Sequence, residues 1–224
     1  PRPRPRPCRH PGDGTGRHDC GKRAVRQSVA IGRAVEHGRA FHDLILTCRH
    51  VTAQFKQIRG QAQVYRLKEE TEDDWWEVEA LYDLCFAPGR TALSSYRLRD
   101  GVPTVAPLCL TLRDDEGALA AVIRYWPALI GEEDVLLLGP VAVHPTHQGE
   151  GLGALLINES LAEARRLGWE RVMLVGDAPY YARFGFRKLD GVEMPPPTNP
   201  DRILGLALKA DAWKGVTGMV TKAT

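Results

Sequence analysis

The chain has 224 residues, 43% hydrophobic and 26% charged, with a formal net charge of +2. That length suits one domain with extensions, and the composition is ordinary for a globular protein. No run approaches the roughly 20 apolar residues of a membrane span and no apolar signal-peptide core follows the first residues, so a cytoplasmic location is the expectation. Five cysteines, Cys8, Cys20, Cys48, Cys85 and Cys109, are far apart and form no CxxC pair. They read as reduced thiols, with neither a disulfide framework nor a metal site expected.

Charge is unevenly placed. Residues 1–60 hold 13 Lys+Arg against 4 Asp+Glu, and residues 61–224 hold 17 against 24. The chain opens with "PRPRPRP", which permits polyproline II and forbids helix. Basic, glycine-rich sequence follows, then scattered apolar residues from Val25 to Phe55 that leave room for a short helix or two. A basic arm for nucleic acid lacks the interleaved aromatics it would need, and a proline-rich ligand for a partner's groove has less support still. Residues 1–60 are therefore expected to be a disordered or incidental extension. The chain begins with Pro1 and its first methionine is Met173, so the expected natural start is near Val64.

From Gln63 the texture changes. "QVYRLKEE" alternates as a strand does. "TEDDWWEVEALYDLCF" predicts a helix capped by Thr71, Asp73 or Asp74. Its apolar stripe is Trp75, Val78, Leu81, Tyr82 and Cys85, with the aromatics expected in the core. "APLCLTL" (106–112) and "ALAAVIRYW" (118–126) read as strands around a turn at 114–117. The run Val135 to Val143 is apolar on both faces, as in a central strand. Its Gly139-Pro140 pair predicts a bulge or splay, because proline cannot donate to a sheet ladder.

"HQGEGLGALL" (147–156) leads into a predicted helix, 151–167, with Ala154, Ile157, Leu161 and Ala164 on one face and Gly168 as its stop. A strand (169–176), a short helix after a cap at Asp177, and further strands complete a mixed α/β sheet with helices on its faces. The glycine loop lacks the GK[ST] of a P-loop and the GxGxxG spacing of a dinucleotide site. Two readings remain for its glycines: a tight strand-to-helix turn, or a cradle for a pyrophosphate at the helix start.

The stretch "LGPVAVHPTHQGEGLGALL" resembles the acyl-CoA-binding core of the GCN5-related N-acetyltransferase (GNAT) superfamily. Gln148, Gly151 and Gly153 match its Q/R-x-x-G-x-G/A motif, and "VGDAPYYARFGFRKL" is similar to the YhbS-like branch. The resemblance covers about residues 62–220 and implies that family's acyl-CoA N-acyltransferase fold, with a splayed central sheet, over 61–224. It implies acetyl-CoA as co-substrate. Val141, Ala142 and Val143 would pair with the pantetheine arm, and Gln148, Gly149, Glu150, Gly151, Leu152, Gly153 and Ala154 would hold the pyrophosphate. Tyr181, four residues before Gly185, would protonate the departing thiolate, with Tyr180 as the fallback.

The expected function is transfer of an acetyl group to a primary amine of a small molecule or peptide. Transfer of a longer acyl group and an acyl-CoA sensor without turnover are the alternatives. No membrane partner is expected, nucleic acid is disfavoured, and a homodimer is left open. The central strand carries no carboxylate, so no general base is named. Glu133, Asp134 and His144 are expected to be solvated loop residues. Arg90, Arg97 and Arg99 could face an anionic acceptor, but a solvated helix face is the expectation.

Overall fold

The computed structural model describes residues 52–58 and 61–223. The proline-rich opening and the basic stretch up to residue 51 lie outside the described residues, as do the expectations placed on them. Two strands come first, β1 (Thr52–Ile58) and β2 (Gln61–Glu69). They pair antiparallel from Ile58↔Gln61 to Thr52↔Leu67. Residues 52–55, open to helix in the sequence, are therefore strand, and pairing begins ahead of the expected domain start at 61.

A short turn of 3₁₀ helix at Glu72–Asp74 leads into α1 (Trp75–Phe86). Thr71 caps the turn, its backbone N–H and hydroxyl both donating to Asp74 Oδ2 at 2.8 Å. The small helix α2 (Ser94–Arg97) follows. Residues 106–108, expected to open a strand, form another 3₁₀ turn, with Pro107 at its start. Then come β3 (Leu110–Arg113), β4 (Leu119–Ile130) and β5 (Glu133–Val143). The later elements are α3 (Leu152–Arg166), β6 (Arg171–Val175), α4 (Ala178–Ala182), β7 (Arg187–Lys188), β8 (Val192–Glu193), β9 (Ile203–Ala207) and β10 (Gly218–Lys222).

The strands build one mixed sheet in the order β1-β2-β3-β4-β5-β6-β9-β7, with β10 pairing both β4 and β8. Along that order only β5–β6 is parallel, joined by the α3 crossover. Pro127 sits inside β4 without breaking it. On that edge β3 pairs with residues up to Ile123 and β10 starts at Ala128, so the missing N–H falls in a gap between partners.

Helices cover both faces. Leu156, Ile157, Leu161 and Ala164 of α3 bury against Ile123, Tyr125, Leu136 and Leu138. Val78, Leu81 and Tyr82 of α1 pack on Val122 and Ala142 from the other side. The expected core role of the α1 tryptophans does not hold: Trp75 is 47% and Trp76 77% exposed. Trp75 falls just outside the 100°-wide face that Val78, Leu81 and Tyr82 present to the sheet, and Trp76 falls on the opposite side of the helix. Ser160, on the buried face of α3, shares a hydrogen bond with the Tyr125 hydroxyl at 2.8 Å and donates to the Leu156 carbonyl at 2.7 Å. Among the described residues no helix is long and apolar enough to cross a membrane.

Candidate active site

The bulge foreseen at Gly139-Pro140 is present. Ile123 pairs with Val141 and Tyr125 with Leu138, so one residue of β4 faces two of β5. Glycine is required there by close approach. A Cβ on Gly139 would lie 2.3 Å from Trp126 Cζ3 and 2.9 Å from the Arg124 carbonyl. Beyond the bulge β5 leaves β6. Their parallel pairing is confined to Leu136↔Val172 and Leu137↔Met173, while on its other side β6 pairs with β9 along its whole length. The Val141–Val143 segment keeps β4 on one side and, among the described residues, has no strand on the other.

A cleft of about 500 Å³ opens along that free edge. Cys85 and Phe86, at the end of α1, form one wall. Gln148, Gly149, Gly151, Leu152, Gly153 and Ala154 form the other, with Tyr180 and Arg183 from α4 and its cap. Gly149 and Gly151 have φ of +82° and +85°, a left-handed conformation that L side chains avoid. Gly153 does a different job. Its missing Cβ would stand 3.2 Å from the Tyr180 hydroxyl and 3.4 Å from Val143 Cγ2. The first helical bond of α3 runs from Leu155 N to the Gly151 carbonyl at 3.0 Å. The N–H groups ahead of Leu155 therefore have no intrahelical partner, and the helix dipole adds positive potential where they point.

Of the residues expected at the donor site, two are placed differently from the rest. Glu150 does not line the cleft: it accepts a hydrogen bond from Tyr65 of β2 at 2.6 Å. The same hydroxyl is 3.0 Å from His147 Nδ1, so one phenol ties both residues to the sheet and fixes the loop from behind. Burial, then the Glu150 carboxylate, pushes the Tyr65 phenol well above its usual range. Tyr181 does not line the cleft either. Its ring packs on Gly176, Phe184 and Phe186, and burial pushes its phenol up to about 12. Tyr180 is the tyrosine that lines the cleft, its ring 4.9 Å from that of Tyr181 and under the Arg183 guanidinium at 4.1 Å. Asp177 caps α4 as expected, accepting from Tyr180 N at 3.2 Å.

A second cavity, of about 600 Å³, borders the bulge where α1 and α2 meet it, and Pro140 and Arg124 lie in its wall. Here the expected solvated face of arginines is corrected. Arg90 is buried and bonded to Glu79 at 2.6 Å and Asp83 at 3.0 Å. Arg124 is held by Glu70 at 2.5 Å and Glu79 at 2.6 Å. Arg99 packs on the Tyr96 and Trp126 rings, its Cζ 4.7 Å from each centroid. Arg97 alone is exposed, donating to the Pro196 carbonyl. The loop reads as solvated in sequence because nothing in it reports that Glu79 and Asp83, from α1, will supply the counter-charges of Arg90. Glu133 is likewise no loop residue: it opens β5 and pairs with Arg171 at 2.6 Å. His144 follows β5 and bonds Thr146 locally at 2.7 Å. Among the described residues no group of His, Cys, Asp or Glu is placed to hold a metal ion.

A sheet splayed beside a glycine-rich helix start is the architecture of acyl-CoA-dependent transferases, and the chain belongs to the acetyltransferase (GNAT) family, whose profile matches residues 74–186. Within it the chain is similar to the uncharacterized N-acetyltransferase YhbS of Escherichia coli K12, 31% identical over 150 residues, 64% of this chain and 87% of that one. The crystal structure of E. coli YhbS in complex with CoA superposes with a TM-score of 0.61 at 28% identity, covering 70% of this chain and 88% of that one. A GNAT acetyltransferase from Brucella melitensis in complex with acetyl-CoA gives 0.55 at 28% identity, covering 71% and 96%.

Proposed function

We propose that the protein transfers the acetyl group of acetyl-CoA to a primary amine by direct attack. The observation that carries this reading is the unpaired Val141–Val143 edge facing the open N–H groups of α3 across one cleft. A flexible amide-bearing arm satisfies such an edge as an added strand would, and a diphosphate suits the helix start beyond it. Gly153 leaves the room that a methyl would fill. CoA in the YhbS crystal structure and acetyl-CoA in the Brucella one support the same donor.

In the proposed step the amine nitrogen, having lost a proton, bonds to the thioester carbonyl carbon. A backbone N–H of the Val141–Val143 edge stabilises the oxyanion. Collapse breaks the C–S bond; the sulfur takes a proton from Tyr181, the nitrogen gives up its second proton to water, and the Tyr181 phenolate is reprotonated from water, leaving the amide and coenzyme A. A phenol raised to about 12 keeps its proton at neutral pH, as a donor must. Holding both reactants at the bulge contributes the proximity effect. Glu79 is a poor base for the amine. Burial alone would raise its carboxyl, but hydrogen bonds from Arg90 and Arg124 outweigh that and hold it below the usual range.

Calorimetric titration with acetyl-CoA and a thiol-release assay on an amine panel test the reading. Micromolar binding with thiol release is the expected result. Binding without turnover on any amine would make the protein a sensor, and absent binding would refute the proposal. Tyr181→Phe should lower kcat far more than it raises the acetyl-CoA KM. The same loss in Tyr180→Phe with Tyr181→Phe unaffected would move the role to Tyr180.

A further inference from the structure

We propose that the cavity beside the bulge is the acceptor site and that Arg99 selects amines that also carry a carboxylate or a phosphate; this rests on the acetyltransferase reading above. Three arginines in that cavity have buried heads, and two are already neutralised. Arg90 has Glu79 and Asp83, and Arg124 has Glu70 and Glu79. Among the described residues no carboxylate forms an ion pair with Arg99. Its Nε and Nη1 are sealed from solvent and make no hydrogen bond.

An orphaned buried charge is costly, and a fold keeps one where something arrives to pair with it. Burial pushes the Arg99 guanidinium down to about 10, an effect that Tyr96 offsets only in part, and it stays charged at neutral pH. Tyr96 and Trp126 each hold a ring centroid 4.7 Å from its Cζ. The N–H groups of its planar fork suit a carboxylate or a phosphate.

The location connects this group to the reaction. Trp126, which stacks on Arg99, is also the residue on which Gly139 packs. Pro140 lines this cavity, and the next residue, Val141, lines the donor cleft. An anion held at Arg99 thus anchors the acceptor one aromatic ring away from the bulge where the thioester would sit. The volume, about 600 Å³, suits a small molecule.

Matched amines test this. Thiol release from acetyl-CoA is measured for phosphoethanolamine against ethanolamine, glucosamine 6-phosphate against glucosamine, and β-alanine against β-alaninamide. The anionic member of at least one pair should have kcat/KM higher by about tenfold or more, the free energy of a charged hydrogen bond. Which pair responds tells phosphate from carboxylate. Arg99→Met should erase the preference, and an unchanged acetyl-CoA Kd shows that the variant is folded. A direct titration covers acceptors outside the panel. The Arg99 Nε–H resonance, identified by its loss in Arg99→Met, should shift saturably with succinate or inorganic phosphate but not with chloride at equal ionic strength. A preference that is absent, or that survives Arg99→Met, overturns the inference. If no amine reacts, an unmoved resonance overturns it alone. Failure of the wild-type protein to bind acetyl-CoA refutes the donor reading instead, and the resonance still reports on Arg99.

Discussion

Gly153→Ala should separate the stability of the fold from its affinity for the donor. Gly153 is the second residue of α3, and its φ is not left-handed. Alanine in a helix is favoured over glycine by up to about 1 kcal/mol. Against that stand the new contacts, 3.2 Å to the Tyr180 hydroxyl and 3.4 Å to Val143 Cγ2. The hydroxyl ends an exposed side chain and can retreat, so the net effect on stability should lie between zero and about +1 kcal/mol. For a domain of this size that is a Tm rise of at most about 2–4 °C. The donor should suffer, because the methyl occupies the space between the helix start and the free edge of β5. Losing one charged hydrogen bond to the diphosphate weakens binding by roughly 10- to 150-fold. Gly151→Ala is the contrast. With φ at +85°, alanine there costs about 1–2 kcal/mol, so both variants lose affinity while their melting temperatures move apart. Scanning calorimetry and titration with acetyl-CoA read the two quantities. Wild-type affinity in Gly153→Ala would remove the diphosphate from the start of α3 and refute the reasoning.

Three further outcomes follow from the packing and charge. Gly139→Ala drives a methyl into Trp126 and the Arg124 carbonyl, so it should destabilise by about 1–3 kcal/mol in urea unfolding; wild-type stability would mean that the bulge yields freely. Ser160→Ala leaves the buried Tyr125 hydroxyl unpaired and should cost about 1–3 kcal/mol, with Tyr125→Phe recovering part of it in a double-mutant cycle; strict additivity would deny the pairing. Glu79→Gln should be less stable than wild type at neutral pH. The folded Glu79 carboxyl titrates below its unfolded value of about 4.3, so its contribution is complete above that value and lost as pH falls through the folded one. The gap between wild type and variant should close in acid, and a gap independent of pH would assign the loss to shape alone.

The bulge and the glycine loop were legible in sequence because their signals are local. Glycines at 149, 151 and 153, the run from Val135 to Val143 and the Gly139-Pro140 interruption lie close together along the chain. The bulge and the helix that follows it appear where that pattern places them. What escaped was long-range. Tyr65 reaches the loop from 82 and 85 residues away, turning Glu150 from a cleft residue into an anchor. The arginines of 88–101 looked solvated because partners of theirs lie elsewhere: Glu79 on α1 for Arg90, and Trp126 on β4 for Arg99. Ser160 sits on the buried face of α3 among leucines, and only its partner on β4 explains why a hydroxyl is there. Residues 52–58 have no clear alternation of their own, and their register on β2 makes them strand.

An open strand edge is a hazard in most proteins, because another chain can add to it and begin an aggregate. Here the Val141–Val143 edge is kept in a slot between Phe86 and Cys85 on one side and Gly153 and Tyr180 on the other. A foreign strand could add to that edge only by entering between these two walls, so the walls that would flank the proposed ligand also stand in the way of another chain.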